Sequence, residues 1–334
     1  MLGEPSKLNL LRSNRMSTLL LTRNDVKGLL QMSAVIATVE QAFKELARGE
    51  ARMPAKAYLL LERGDFRAMP AAVPHAAGMK WVCVYPQNPS RGLPTVIGTL
   101  VYNDPDTGYP LAIMDATDIT DYRTGATAAV AAKYLARPDS QTLGLIGAGR
   151  QAHTQLLAHA EMFRLKEIRV YDRSPDAVKR FIKSLPEYPI KEATVEKAAA
   201  SDIVCTVTPA REPVLKKEWV VPGTHINAIG ADAPGKEELE PAILKGAIVV
   251  VDDLRQASSG GEINVPLKKG LFSVNDIYAT LDEIIVGKKP GRQDLRAVTI
   301  FDSTGVAIED IAVAKLLYDK AKQTGTGLSI NLVE

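Results

Sequence analysis

Cysteine is nearly absent: Cys83 and Cys205 are the only two, far apart and each inside an apolar run. That excludes a disulfide framework and a cysteine-ligated metal site, and it suits reduced, buried thiols in a cytoplasmic protein. The four histidines, His75, His153, His159 and His225, form no group with acids or cysteines. They read as structural or surface residues, and no metal is expected. No apolar run approaches the roughly 18 residues that span a bilayer, although 46% of the residues are hydrophobic. An excess of one charge is missing too. Lys+Arg number 41 against 39 Asp+Glu, with no block of either, so nothing points to nucleic acid or to an anionic membrane, and the expected partner is a small molecule. The first fifteen residues, "MLGEPSKLNLLRSNR", lack the apolar stretch and cleavage pattern of a signal peptide and read as a disordered tail or a cloning remnant.

What is present is organised in two rhythms, and 334 residues fit two domains. From Met16 a short strand, "TLLLT", precedes a helix on which Val35, Val39, Phe43 and Leu46 recur at helical spacing, with Asn24 and Ser33 as candidate N-caps. Then come the strand-like runs "AYLLLE", "DFRAMPA", "GMKWVCVYP", "TVIGTLVYN" and "PLAIMDA", separated by turn signals, which predict an antiparallel meander. A helix of small residues, "DYRTGATAAVAAKYLA", closes this part, and the boundary falls between residues 138 and 139. Beyond it, uninterrupted apolar strands alternate with helices: "TLGLIG", "IRVYD", "IVCTVT", "HINAIGA", "IVVVDD" and "AVTIFDS". Strands without polar alternation indicate a parallel sheet covered on both faces. The expectation is an α/β chain: an α+β domain with antiparallel strands over 16–138, a doubly wound parallel sheet over 139–305, and a helix in 306–334 that crosses back to the first domain.

The stretch "TLGLIGAGRQAHTQLLAHA" supplies a buried strand, then Gly147, Gly149 and Ala152 in the pattern G-x-G-x-x-A, then an amphipathic helix. The first glycine permits the tight turn, the second lets a pyrophosphate approach the backbone, and the small third residue lets helix and strand pack closely. A second strand, "IRVYD", ends in Asp172 at nearly the offset expected of the acid that binds the adenosine ribose. This predicts a dinucleotide site, and Asp172 favours NAD, because a 2′-phosphate about 4 Å away would cost about 1 kcal/mol of repulsion in water and up to about 4 at a protein surface. Arg173 and Ser174 could hold that phosphate if Asp172 turned away, which leaves NADP open.

Ligands of an open parallel sheet lie at the carboxyl ends of its strands. There "AIGAD" offers two small residues followed by Asp232. In the first domain Arg67 and Lys80 sit among apolar residues in strand-like runs, with Lys80 on the face of Val82 and Val84. A lysine so placed commonly snorkels to solvent. Arg123, near the start of a helix, could clamp a carboxylate, with Thr124 and Gly125 leaving room beside it; its alternative is an ion pair with Asp118 or Asp121. Three such cations facing an aspartate would suit an amino or oxo acid.

The runs "RAMPA", "GMKWV", "GLPTV", "MDATDITDYRTGA", "GLIGAGRQA", "INAIGAD", "GGEINVP" and "FDSTGVAIEDIAVAKLLY" together resemble the ornithine cyclodeaminase/mu-crystallin family, nearest its archaeal alanine dehydrogenase branch. The resemblance runs in order from about Met16 to about Lys320. It implies a homodimer whose first domain supplies the subunit contact and half of the substrate site, beside an NAD(P)-binding Rossmann domain. By motif, Arg67, Lys80 and Arg123 would bind the substrate carboxylate, Thr95 would add a polar contact, and Asp232 would act as acid/base beside Lys80. Cofactor contacts would fall on Thr124, on Gly147, Ala148, Gly149, Arg150 and Gln151, on Asp172, Arg173 and Ser174, on Thr206, Val207 and Thr208, on Ala228, Ile229 and Gly230, and on Ser303. The implied chemistry is oxidation of a small L-amino acid to an imine. Water then gives a 2-oxo acid and ammonia, as in alanine dehydrogenase; attack by a side-chain amine gives the cyclodeaminase outcome, ornithine to proline. Reduction of a cyclic imine such as pyrroline-2-carboxylate is the reverse of the first half, and a mu-crystallin-like binding protein is the non-catalytic alternative. The role of Glu262 in "SSGGEINVP" is left open.

Overall fold

The computed structural model describes residues 17–333, so the tail assigned to residues 1–15 lies outside the described residues. The chain forms two sheets. The strands are β1 (Thr18–Leu21), β2 (Ala57–Leu61), β3 (Gly64–Val73), β4 (Ala76–Val84), β5 (Val96–Asn103), β6 (Pro110–Asp115), β7 (Thr142–Ile146), β8 (Glu167–Tyr171), β9 (Ile190–Glu192), β10 (Ile203–Thr206), β11 (His225–Ala228), β12 (Ala247–Val251), β13 (Ile277–Thr280), β14 (Val298–Asp302) and β15 (Leu328–Ile330).

The first sheet has the order β15-β1-β6-β5-β4-β3-β2. Its β2–β6 portion is the expected antiparallel meander. The outer pair differs from expectation: β1 runs parallel to β6, and β15, in a segment read as helix, pairs antiparallel with β1. The second sheet is wholly parallel, in the order β13-β12-β14-β11-β10-β7-β8-β9. Its centre is apolar on both faces, as uninterrupted runs require, and every residue of β10 and β11 is buried. After β8 and β9 the chain returns to the other side of β7, so a crevice opens at the carboxyl ends of β7 and β10.

Thr22, not Asn24, caps the first helix, Arg23–Leu29, in a reciprocal pair with Asp25, and Gln31, not Ser33, precedes the helix Met32–Ala47. Both expected caps are the second residue of their helix, and the extended Leu30 separates the two helices. The helix Thr117–Leu135 is buried along most of its length. Its small residues let the helix Arg150–Met162 cross it closely: a Cβ on Gly125 would run into the Thr154 carbonyl. The helix Ala307–Thr324 follows β14 and packs on β3, β4 and the helix Met32–Ala47, ending at Gly325 with φ +68. One apolar core takes in Phe43, Leu100 and Leu135 together with Val250 and Phe301 of the second sheet, so the two layers share an interior.

His159 and His225 are wholly buried, joined through Asn227 at 3.1 Å on each side. Burial pushes them down to about 4 and about 3, so both stay neutral as internal polar connectors. Cys205 is buried and Cys83 half-buried, both free thiols. Among the described residues no helix is long and apolar enough to cross a membrane, and no cluster of ligating side chains could hold a metal.

The close crossing at Gly125 gives a test. Gly125→Ala should destabilise the protein by about 1–3 kcal/mol despite alanine's better helix propensity, read as a lower urea midpoint.

Candidate active site between the two sheets

The glycine loop follows β7. Gly147 has φ +109, and a Cβ there would lie 3.0 Å from the Val207 carbonyl oxygen, so the position admits only glycine. Gly149 precedes the helix Arg150–Met162 with no side-chain cap, and nothing lies within 4 Å of where its Cβ would be. The first-turn N–H groups of that helix therefore have an open approach for an anion. Asp172, at the end of β8, braces this loop: its Oδ2 accepts from Ala148 N at 2.9 Å and its Oδ1 from Ser174 N at 2.8 Å. Each oxygen keeps a further lone pair for a hydroxyl. Ser174 caps the next helix, and Arg173 is exposed.

The loops after β10 and β11 are held by a buried carboxylate. Glu238 accepts from Thr206 Oγ1, Thr208 N and Thr208 Oγ1 at 2.7 Å each, and from Gly230 N at 2.8 Å. Three more buried acids repeat the device. Glu262 accepts from Glu238 N and Leu239 N, Asp302 from Glu262 N and Ile263 N, and Asp252 from Thr304 N and Gly305 N. Burial pushes Asp302 up to about 8 against its backbone donors. Glu262, whose part was open in the sequence, thus holds the segment that carries Glu238.

From the first sheet come the cations. Arg67 on β3, 5% exposed, donates to Asp232 Oδ2 at 2.7 Å and to Asp65 Oδ1 at 2.6 Å. Lys236 Nζ reaches Asp232 Oδ1 at 2.5 Å. Burial works against ionisation of Asp232, but Arg67 and Lys236 outweigh it and hold the carboxyl well below the usual range. Lys80 on β4 does not snorkel. It is 0% exposed, with Nζ 2.7 Å from the Asp310 carboxylate and 3.3 Å from Thr120 Oγ1. Burial, with Arg123 acting in the same sense, lowers it to about 7 although Asp310 opposes. Arg123 pairs with neither Asp118 nor Asp121. Its Nη1 donates to Glu309 at 2.6 Å and its Nε lies 3.2 Å from Asp310, while Asp118 and Asp121 are taken by Arg150 at 3.0 and 2.9 Å. Lys56 Nζ donates to the Thr304 carbonyl at 2.5 Å and is lowered to about 8 by burial.

These groups line one cleft of about 410 Å³ between the sheets. It brings together Arg67, Lys80, Thr95, Arg123 and Asp232 with Thr124, Gly149, Arg150, Gln151, Val207, Thr208, Ile229, Gly230 and Ser303. Gly147 and Ala148 form the turn behind it, Asp172, Arg173 and Ser174 stand at the next strand end, and Thr206 and Ala228 are wholly buried. Sequence reasoning missed Lys56, Lys236, Glu238, Glu309 and Asp310. The adjacent acids in "GVAIEDIAVAKLL" are a legible signal, since a charge within an apolar stripe needs a buried partner; Lys56 carries no such mark.

The family model for ornithine cyclodeaminase/mu-crystallin matches residues 16–325. The chain belongs to that family. Among family members, the alanine dehydrogenase of Archaeoglobus fulgidus is 50% identical over 317 residues, which is 94% of this chain and 98% of the relative. The solved structure of an archaeal alanine dehydrogenase dimer with bound NAD is similar with a TM-score of 0.94 and 49% identity, over 95% of this chain and 100% of that one. A Delta(1)-pyrroline-2-carboxylate reductase of Thermococcus litoralis, in complex with NADH and L-proline, follows with a TM-score of 0.92 and 40% identity, over 94% and 100% of the two chains. The family fold accounts for both sheets.

Glu238→Gln would turn an amide NH₂ toward donors that need an acceptor. It should cost about 1–3 kcal/mol, measured as a lower urea midpoint, with weaker binding of dinucleotide followed by fluorescence titration.

Proposed function

We propose that this chain is an NAD-dependent alanine dehydrogenase, converting L-alanine, NAD and water to pyruvate, ammonia and NADH. The observation that carries the reading is the convergence of Arg67, Lys80 and Arg123 with Asp232 in one cleft beside the glycine loop. The half-identical, nearly full-length alanine dehydrogenase supports it. The residues present fit a dinucleotide: a glycine turn that a Cβ would block, an uncapped helix start, and an acid at the next strand end with lone pairs to spare. The acid at Asp172 favours NAD over NADP. When bound, the nicotinamide supplies the hydride acceptor for the substrate α-carbon.

The chain's own part is binding and proton handling. Lys80 and Arg123 take the substrate carboxylate, with Arg67 beside them and Thr95 adding a polar contact. Asp232, kept ionised by its two cations, accepts hydrogen bonds from the amine and then from the attacking water. Lys80, poised at about 7, is matched to move a proton near neutral pH. The wall near these cations is Met69, Val82, Val84 and Val96. Asp121, the other carboxylate of that wall, is engaged by Arg150 and Gln151. A side chain ending in a second ammonium, as in ornithine, has no free partner, whereas a methyl group suits the wall. Reduction of a small cyclic imine, which has no second ammonium, is the second reading, favoured by the same wall.

Product analysis with L-alanine and L-ornithine, each with NAD and with NADP, tests this. Pyruvate and ammonia with stoichiometric NADH are expected; proline and ammonia from ornithine without net NADH would overturn it. Lys80→Met should lower kcat/KM for alanine at least a hundredfold, as removal of a charge-pairing and proton-moving group does.

The protein assembles as a homodimer in this proposal. Strand β2 is a sheet edge whose five residues are all exposed, Leu60 to 75%. An apolar unpaired edge calls for a covering partner, and the archaeal relative is a dimer. Tyr58 on that strand lies over Arg67 at 5.4 Å, so the covered edge adjoins the site. Sedimentation should show a dimer, and Leu59→Asp with Leu60→Asp a monomer.

A further inference from the structure

The buried groups behind the cleft form a closed set of charges. Lys80 and Asp310, Arg123 and Glu309 are two cations and two carboxylates, each at most 5% exposed. Fully ionised, they cancel. A substrate carboxylate placed on Lys80 and Arg123 adds a negative charge with no counter-charge, where water cannot screen it, and such a charge is strongly disfavoured. The set has room for one correction: Glu309 Oε1 is shut off from water and makes no hydrogen bond, whereas Asp310 faces Lys80 Nζ with both oxygens.

We infer that this tetrad takes up one proton from solvent when a substrate carboxylate binds, and releases it when the acid leaves, so that the site binds carboxylate and proton together. The inference rests on the proposed function only in that a carboxylate occupies the cations. The other charged groups facing the tetrad are Lys56 and Asp252, one of each sign, and beyond them Arg67 and Lys236 against Asp65 and Asp232, two of each sign, so the surroundings supply no spare positive charge. Burial raises Glu309 to about 7 against the pull of Arg123, and the same burial brings Lys80 down to about 7. The groups touch, so they titrate as a unit, and the proton belongs to the set rather than to one residue. In the direction of amination, where a proton is consumed, it enters with the 2-oxo acid.

The experiment is titration of oxamate, an unreactive pyruvate isostere, onto the protein saturated with NADH, by calorimetry at pH 8 in two buffers of different ionisation heat. Wild type should take up close to one proton per site, and its Kd for oxamate should weaken about tenfold per pH unit above pH 8. Lys56→Met leaves the tetrad intact, so it should take up the same proton and keep the same pH profile. Oxamate binding by wild type with no uptake, or loss of the uptake in Lys56→Met, overturns the inference; the second result would move the proton to Lys56. Should Lys56→Met not fold, the wild-type profile decides alone, and a Kd constant from pH 7 to 9.5 overturns the inference. Failure of oxamate to bind at all sinks the alanine dehydrogenase reading itself, whereas binding without a proton sinks only this one.

Discussion

An ammonium group with no exposed surface has to be met by a carboxylate, and in this protein that requirement shapes the whole chain. Lys80 lies in the middle of β4, and the acid that meets it, Asp310, is 230 residues further on. The helix Ala307–Thr324 must therefore leave the second sheet and settle on the first, with its first turn over the cations. Glu309 in the same turn holds Arg123, which fixes the helix Thr117–Leu135 against it. That helix is crossed at Gly125 by the helix that follows the glycine loop. A buried lysine thus sets the distance between the two halves of the cleft.

The two halves are kept rigid by different means. On the cation side, charges pair with charges. On the glycine-loop side, carboxylates accept backbone N–H groups of the loops around the strand ends, from Asp172 through Glu238, Glu262 and Asp302 to Asp252. Loops at strand ends carry backbone donors with no sheet partner, and a buried acceptor is the way to satisfy them without water. A site so built presents its backbone groups already fixed, and catalysis gains from groups that need no reordering.

Much of this was legible in the sequence where the signal is local. Uninterrupted apolar runs gave six strands of the second sheet, and the glycine spacing gave the loop between β7 and its helix. The short edge strands β9 and β13, three and four residues long, carry too little pattern to be read. Arg67, Lys80, Arg123 and Asp232 stood out because each is a charge among apolar or small residues. Their partners did not, because pairing is a property of the fold: Asp118 and Asp121 are nearer to Arg123 in sequence than Glu309, yet they turn to Arg150. Glu238 reads as an ordinary loop acid, and only the four donors around it reveal its use.

The pairing of β15 with β1 brings residues 312 positions apart side by side, as Ser329 and Ser17 show. During synthesis the first sheet is made early, but its edge strand and the acids that neutralise its buried cations emerge last. Until then Lys80 and Arg123 have no counter-charge and the sheet cannot close over them. The half of the cleft that emerges first from the ribosome is therefore the half completed last, and a chain cut short before the terminal helix would lack a stable first layer rather than merely a tail.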